Sequence, residues 1–335
     1  QIPSNKLEQY EFYGELALSG ELQNILGEIP SAIQCSHEQR VCIMPAQNAI
    51  NSSIINELNV LSAPNLAATV HHLIGRRLLY APQTLAIPSK KTNLPELADV
   101  IGQPLAKRAL IIAAAGQHNI MLLGPPGTGK SMLAQRLPSI LPILSDQEAL
   151  EVAAIHSIGG NDLTLSDWRR RPFRAPHHTA SPTAMIGGGR PPQPGEISLA
   201  HKGVLFLDEL TEIKRYTLDA LREPMESGHI AISRASTHTH FPAEFQLIAA
   251  LNPSPTGHHE DGRATSEQAL KYLQKISGPF IDRMDIQIEV PEIAKQTFLN
   301  ADFESTRASP NNESMAAREK VCEARDKACL NIWSL

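Results

Sequence analysis

Short apolar runs alternate with helix-like stretches along this chain. Ile120–Leu123, Val204–Leu207 and residues 245–251 are apolar at nearly every position and are too short to be helices. Apolar strands that alternate with helices predict a parallel sheet covered on both faces. Polar residues after such strands reach one edge of the sheet, where α/β folds bind ligands. We therefore expect an α/β fold whose parallel sheet is sandwiched by helices.

The same pattern divides the chain into four parts. Residues 1–80 mix short apolar runs with helix-like stretches and predict a small α/β domain. Residues 81–98 are rich in proline, which is typical of a linker. Residues 99–300 contain the apolar strands and predict the main domain. Residues 301–335 are charged and helix-like, and an incomplete helical lid is expected there.

The composition is that of a globular protein. The 335 residues are 42% hydrophobic and 19% charged, and no apolar run approaches the ~18 residues of a membrane span. Cys35 and Cys42, like Cys322 and Cys329, are spaced as buried thiols rather than as zinc ligands. Reduced thiols favour a cytoplasmic location. Gln1 is an unusual first residue. The possibility of a further amino-terminal segment that includes a signal therefore stays open.

Residues 124–131 read Gly-Pro-Pro-Gly-Thr-Gly-Lys-Ser and directly follow the first apolar strand. This fits the phosphate-loop pattern G-x-x-x-x-G-K-[ST] between a strand and a helix. We expect Lys130 to contact the β- and γ-phosphates of ATP and Ser131 to complete the shell of a Mg²⁺ ion. The following helix directs its positive end at the phosphates. The predicted nucleotide contacts are Gly124, Pro125, Pro126, Gly127, Thr128, Gly129, Lys130, Ser131 and Met132.

A hydrolysis motif follows the second apolar strand, which ends in Asp208 and Glu209. Asp208 would hold Mg²⁺, and Glu209 would polarise the attacking water as a base. An Asp-Glu pair is otherwise a simple helix cap, but the upstream phosphate loop favours hydrolysis. Asn252 could orient the same water or be an ordinary turn residue. Arg283 could be surface charge, or it could contact the γ-phosphate bound by a neighbouring subunit. An arginine in that position accelerates phosphoryl transfer by ~10³–10⁵-fold.

Positive charge is concentrated in one segment of a chain whose net charge is −5. From Trp168 to Gly195 there is no acidic residue, although arginines and two histidines are frequent. Such a segment is typical of a site for an anionic partner, and equally of a solvated loop whose arginines pair with acids elsewhere. The arginines are Arg169, Arg170, Arg171, Arg174 and Arg190.

Several stretches resemble the magnesium-chelatase-like AAA+ ATPases, most closely their bacterial ComM-type (YifB-type) members. Residues 173–179, Phe-Arg-Ala-Pro-His-His-Thr, carry the most specific resemblance, whereas the phosphate loop is shared by many unrelated ATPases. The resemblance covers roughly residues 12–330 and implies an AAA+ P-loop NTPase that uses ATP and Mg²⁺. The other matching stretches are residues 99–103, 205–209, 221–226 and 278–283.

The resemblance also implies roles and partners. Ile101 would border the adenine, Asn252 would be the first sensor, and Arg283 would act as a finger across a subunit boundary. A finger of this kind implies that the subunits form a ring, and the resemblance to this family implies a ring of six subunits. Similar proteins act as ATP-driven branch-migration motors on DNA during natural transformation, so DNA is an expected partner and a membrane is not.

Two segments of related rings line the central pore, and both are recognisable here. They are residues 169–202 and residues 228–242, and the second alternates across a short turn like a β-hairpin. Their position strengthens the hypothesis that the basic segment binds DNA as its anionic partner. The candidate DNA contacts are Arg169, Arg170, Arg171, Arg174, Lys202, Arg234, His238 and His240.

Residues 14–22 resemble the Lon-protease-like (S5-fold) domain of the same family, which implies a small Lon/S5-like α/β domain fragment before the ATPase core. A Ser–Lys peptidase dyad needs a lysine beside the serine. No lysine occurs between Lys6 and Lys90, so we expect no peptidase activity.

The chain departs from the family in two places. Family members carry cysteines after the first sensor, but residues 253–259 contain none. His258 and His259 could form a weak metal site, or the segment could be an exposed polar loop. The second sensor arginine of the lid is not recognisable before Leu335.

Three functions therefore stay open. The first is an ATP-hydrolysing DNA motor, which the Lon-like domain and the arginine-rich segment favour. The second is a metal-insertion ATPase subunit of the magnesium-chelatase type. The third is a nucleotide-gated scaffold that binds ATP and hydrolyses little.

Overall fold

A computed structural model of the chain divides into two compact units. The first contains Gln1–Thr92 and Ser145–Arg169, and the second contains Asn93–Leu144 and Arg170–Leu335. Most of the linker expected at residues 81–98, and the loop with His258 and His259, lie outside the described residues. The structure describes residues 2–53, 59–82, 94–161, 167–234, 237–254, 265–293 and 313–332.

The strands are, in chain order, β1 (Tyr10–Phe12), β2 (Glu15–Leu16), β3 (Leu22–Gln23), β4 (Val41–Met44), β5 (Val60–Ser62), β6 (Ile120–Leu123), β7 (Phe173–Arg174), β8 (Gly187–Gly188), β9 (Gln193–Pro194), β10 (Val204–Leu207), β11 (His229–Arg234), β12 (Thr237–Pro242), β13 (Gln246–Leu251) and β14 (Ile286–Glu289). The helices are α1 (Ser4–Leu7), α2 (Glu28–His37), α3 (Ala46–Ser52), α4 (Leu66–Leu73), α5 (Pro104–Gly116), α6 (Lys130–Ile140), α7 (Asp146–Ile158), α8 (Pro182–Ile186), α9 (Glu196–Leu199), α10 (Arg215–Ala220), α11 (Arg222–Ser227), α12 (Ser266–Leu273), α13 (Gly278–Ile281) and α14 (Glu313–Ile332).

The first unit is built on a parallel three-stranded sheet in the order β1-β4-β5. The central strand β4 contributes Cys42 and Met44, which are buried against Cys35 of α2 and Ala49 of α3. Burying these side chains is the main source of stability for so small a sheet.

A segment that the sequence analysis includes in the main domain packs with the first unit. Helix α7 of Ser145–Arg169 lies against α2, and the Gly27 N–H donates to the Ser157 carbonyl over 3.1 Å. Ala149 and Val152 on α7 are buried. The apolar face of α7 therefore accounts for its place in this unit, which sequence distance alone does not reveal.

The second unit is built on a five-stranded parallel sheet in the order β14-β6-β13-β10-β7. The side chains of β10 and β13 are buried throughout, since helices cover both faces of the sheet. Leu122 of β6, Ile248 of β13 and Val204 of β10 belong to one core with residues of α5 and α6. The prediction of an α/β fold with a parallel sheet flanked by helices is confirmed.

Helix α14 belongs to the same core, because it packs on α5 and α6 and buries Ala317 and Val321. Its first turn is fixed by polar contacts: the Leu97 N–H donates to the Ser314 hydroxyl over 2.7 Å. Arg318 donates to the Ser139 carbonyl. Among the described residues, no helix has the length and apolar character needed to cross a membrane.

Strands β11 and β12 form the predicted hairpin, with Ile232 opposite Thr239 and Ala231 opposite His240. One face buries Ile230, Ile232 and Phe241. The other face is exposed at His229 and His240, because neighbouring residues of a strand point to opposite sides.

Candidate functional site

The carboxyl ends of three adjacent strands form the candidate site. In the parallel registers, Leu123 of β6 pairs with Leu251 of β13, and Leu207 of β10 pairs with Ala249. The chain segments that leave these strands therefore begin side by side. They are the phosphate loop after β6, Asn252 after β13 and Asp208 after β10.

The glycines of the phosphate loop meet two different requirements. A Cβ at Gly124 would lie 2.2 Å from the Val290 carbonyl oxygen, so only glycine lets the loop leave β6 beside β14. Gly127 and Gly129 have φ of 80° and 90°, which other residues adopt only with strain. A Cβ on either would meet nothing within 4 Å, so this side of the loop is open to a ligand.

Lys130 is buried at the start of α6 and its ammonium group is fully engaged. It donates to the carbonyls of Gly124 and Pro125 over 2.6 and 2.7 Å and to the Asn252 Oδ1 over 3.2 Å. Burial lowers the pKa of Lys130, and the charge of Asp208 opposes this effect. The structure therefore brings the predicted phosphate-binding lysine and the predicted sensor asparagine into contact.

Ser131 and Asp208 are the residues expected to hold Mg²⁺, and they are hydrogen-bonded. The Ser131 hydroxyl donates to the Asp208 Oδ2 over 2.7 Å. One hydroxyl and one carboxylate suit Mg²⁺, which takes its remaining ligands from water and phosphates. Within the described residues, no group of three or more His, Cys, Asp and Glu side chains is arranged to bind a metal. The donor set therefore fits Mg²⁺ bound together with a nucleotide.

Glu209, the predicted base, follows Asp208 in a strained backbone conformation. Its φ is 49°, and its N–H donates to the Asp208 Oδ1 over 2.9 Å. Left-handed backbone at a residue other than glycine costs about 1 kcal/mol and is concentrated at functional sites. The Glu209 carboxylate is half-exposed and lies 2.8 Å from the Nδ1 atom of His178.

Gln103, to which the sequence pattern assigns no role, ties the phosphate loop to the segment after β14. Its side-chain amide donates to the carbonyls of Pro291, over 2.7 Å, and Thr128, over 3.4 Å. The next residues back in the chain are Gly102, where an added Cβ would lie 3.4 Å from the Ile293 side chain, and the half-buried Ile101, the expected adenine neighbour. The signal that could have found Gln103 is its place in the stretch 99–103.

Arg283, the expected finger, lies at the opposite edge of the sheet from the phosphate loop. It precedes β14, and its carbonyl accepts a hydrogen bond from the side chain of Asn119, which precedes β6. Its guanidinium pairs with Glu226 of α11. Since β6 runs from this edge to the phosphate loop, the structure does not bring Arg283 into the site of its own chain.

Most cations of the arginine-rich segment are engaged within the chain. Arg169 pairs with Asp146, Lys202 with Glu244, and Arg174 donates twice to Glu196, over 2.7 and 2.6 Å. Arg171 donates to two backbone carbonyls, and Arg170 also has a partner. The pairings of Arg169 and Arg174 match the alternative in which the arginines pair with acids elsewhere in the fold.

The hairpin holds the remaining candidate DNA contacts. His238 and His240 are exposed on β12, and the His240 ring lies 5.7 Å from the ring of His229. Arg234 ends β11 opposite Thr237, and its side chain lies outside the described residues. These residues share a hairpin that is separate from the strand ends of the candidate nucleotide site.

Comparison with known proteins places these features in a family. The family model described as magnesium chelatase, subunit ChlI, matches residues 96–298. Over 332 residues, the chain is 46% identical to competence protein ComM of Haemophilus influenzae, covering 97% of this chain and 64% of that protein. Over 339 residues, it is 48% identical to uncharacterized protein YifB of Escherichia coli, covering 99% and 66%.

A more distant match is the magnesium-chelatase 67 kDa subunit of Chlorobaculum parvum. It is 29% identical over 160 residues, which are 47% of this chain and 23% of that protein. The chain spans 64% and 66% of the lengths of the ComM and YifB proteins, just under two thirds. The resemblance to ComM-type magnesium-chelatase-like proteins is confirmed.

The close approach at Gly124 gives a test of the loop. Gly124→Ala forces a Cβ against the Val290 carbonyl, and overpacking of this kind costs about 1–3 kcal/mol of the free energy of unfolding. Gly278→Ala is the control, since its Cβ meets nothing within 4 Å and no overpacking arises there. Urea unfolding measures both. Equal stabilities would show that the loop does not need glycine at 124.

Proposed function

The chain belongs to the magnesium-chelatase family of AAA+ proteins, and from this premise we propose that it hydrolyses ATP to drive movement along DNA. The observation that carries the ATPase part is the hydrogen-bonded cluster at the strand ends. Lys130 contacts Asn252, and Ser131 contacts Asp208, so that the lysine, the residue proposed as the sensor and the pair proposed to bind Mg²⁺ lie together.

Each side chain has a distinct task in this proposal. Lys130 exchanges its contacts with two carbonyls for phosphate oxygens, and the open faces of Gly127 and Gly129 let backbone N–H groups approach the ligand. Mg²⁺ bound by Ser131 and Asp208 supplies neutralisation of phosphate charge. Glu209 takes the proton of the attacking water, and Asn252 orients that water.

Ring assembly follows from the position of Arg283 in this proposal. An arginine at the amino-terminal edge of the sheet cannot reach its own phosphate loop without crossing the length of β6. A neighbouring copy that presents its strand ends to this edge would receive the guanidinium at its γ-phosphate. Arg283 would then leave Glu226 for the stronger charge of the nucleotide. We take the ring to have six subunits, as the family resemblance implies.

DNA as the substrate is supported by the hairpin and by the relatives. The hairpin exposes His238 and His240, and Arg234 ends its first strand. The related protein of Haemophilus influenzae is named a competence protein, and the match to it covers nearly the whole chain. A metal-insertion subunit is the second candidate, but the match to such a protein covers only 47% of the chain.

A cytoplasmic location is part of the same proposal. Cys35 and Cys42 are buried free thiols, and burial raises the pKa of both. Thiols in this form persist in a reducing compartment.

Glu209→Gln tests the ATPase part. The amide keeps the size of the side chain but cannot accept a proton, so turnover falls by about 10²-fold or more while ATP affinity is retained. Steady-state phosphate release and equilibrium ATP binding measure the two quantities. Glu212→Gln, an exposed glutamate in the next turn, is the matched control and keeps its turnover. Unchanged turnover in Glu209→Gln would remove Glu209 as the base.

The motor part is tested by the ATPase rate against chain concentration, with and without forked DNA. The rate per subunit falls on dilution, because each site needs a neighbour's Arg283, and forked DNA raises the rate.

Arg234→Ala weakens DNA binding and lowers the slope of log affinity against log salt by about one.

Arg77→Ala is the control for this experiment, since Arg77 is an exposed arginine of the first unit. A rate per subunit that stays constant on dilution would contradict a shared site. An ATPase rate that is the same with and without forked DNA would contradict the DNA-motor function and favour the metal-insertion or scaffold function.

A further inference from the structure

Glu226 is the carboxylate that holds Arg283 inside its own chain. The Arg283 guanidinium pairs with Glu226 of α11 and also donates to the Pro279 carbonyl. Only 22% of the Arg283 side chain is exposed, whereas 62% of the Glu226 side chain is exposed. Among the described residues, Glu226 is the one carboxylate paired with Arg283. The proposed function moves Arg283 to a neighbour's nucleotide and assigns no partner to Glu226 after this move.

The packing of α11 explains why these two side chains meet. The helix ends beside Gly228, whose carbonyl accepts a hydrogen bond from the Ala243 N–H over 2.8 Å, shortly before β13 begins. Helix α10, directly before α11, is tied to the start of α13, because the Ser277 hydroxyl donates to the Asp219 Oδ1 over 3.3 Å. Arg283 follows shortly after α13. The last turn of α11 and Arg283 therefore lie together at the amino-terminal edge of the sheet.

Arg222, which the proposed hydrolysis does not use, begins α11 one turn before Glu226. Side chains four residues apart lie on the same face of a helix, with Cβ atoms ~5–6 Å apart. The Nε atom of Arg222 is buried without a hydrogen-bond partner, and Arg222 forms no ion pair with another described residue. A buried donor that lacks an acceptor is unfavourable. Helix α11 therefore carries a second guanidinium within reach of the same carboxylate.

Departure of Arg283 would change the charge balance around Glu226. With Arg283 at a neighbouring γ-phosphate, the Glu226 carboxylate would be left without its cation and close to a triphosphate. Negative groups at such short range repel each other, and this repulsion opposes the transfer of the arginine. A cation that takes over the Glu226 carboxylate removes the opposition, and Arg222 is the cation on the same face of α11.

We propose that Glu226 restrains Arg283 in the isolated chain, and that Arg222 receives the Glu226 carboxylate when Arg283 moves to the neighbour's nucleotide. Arg222 is a positioning residue in this exchange, since it acts on Arg283 through Glu226. The inference rests on the proposed function, because it concerns the arginine of the shared site. The chain keeps one ion pair at Glu226 throughout, so the exchange leaves no carboxylate unpaired.

The first test measures the ATPase rate per subunit against the concentration of the full 335-residue chain and determines the concentration of half-maximal rate. Glu226→Gln removes the restraint, so this concentration falls about threefold or more, while the maximal rate stays within about twofold. Glu223→Gln is the matched control. It removes the same charge from an exposed position of the same helix and leaves both quantities unchanged.

Substitutions of Arg222 test the second half of the exchange. Arg222→Ala leaves Glu226 unpaired after Arg283 departs, so the concentration of half-maximal rate rises about threefold or more. Arg222→Lys keeps the positive charge and brings this concentration back to the starting value. In the double variant Arg222→Ala/Glu226→Gln no carboxylate has to be neutralised, so the concentration equals that of Glu226→Gln alone. A purely structural role of Arg222 would not produce this pattern.

A concentration of half-maximal rate in Glu226→Gln at or above that of the unsubstituted chain would overturn the inference. An effect of Arg222→Ala that persists in the double variant would also overturn it. If Arg222→Ala does not fold, Arg222→Gln carries the same prediction, because its uncharged amide fills more of the same space.

Arg283→Ala separates this inference from the proposed function. If Arg283→Ala loses turnover while Glu226→Gln behaves like the unsubstituted chain, the shared site stands and only this inference fails. If Arg283→Ala keeps full turnover at every chain concentration, the shared site and this inference both fail.

Discussion

Parallel pairing of β6 with β13 and of β13 with β10 is the constraint on which the rest of the site depends. It brings three chemically different chain segments to one edge, and the contact between Gly124 and the Val290 carbonyl fixes the path of the phosphate loop beside them. The buried apolar strands resist any shift, because sliding one of them would carry the polar residues that follow it into the apolar core.

The electrostatic consequence is a buried lysine that is satisfied by oxygen atoms alone. Two carbonyls and the Asn252 side chain surround the Lys130 ammonium, and Asp208 favours its charged form. A buried cation needs such partners, and they can be exchanged for phosphate oxygens without creating an unpaired charge. The strained backbone of Glu209 and its contact with His178 lie at the same strand ends.

Much of this arrangement could be predicted from the sequence, since apolar strands and the phosphate loop are local patterns. The three apolar strands β6, β10 and β13, the hairpin and the helix after the phosphate loop are where the sequence places them. Strand β7 was not predicted because it has only two residues, and without it the contact of His178 with Glu209 is invisible. The packing of α7 with the first unit and the pairing of Arg174 with Glu196 depend on tertiary contacts, which residue spacing does not encode.

The most direct test of the central claim is the affinity of the chain for Mg²⁺-ATP before and after Lys130→Ala, measured by isothermal titration calorimetry. The account predicts saturable binding by the unsubstituted chain and a loss of about 10- to 100-fold in the variant, since a charge-assisted contact to phosphate is removed. Equal affinities, or no binding by the unsubstituted chain, would contradict a triphosphate site at these strand ends.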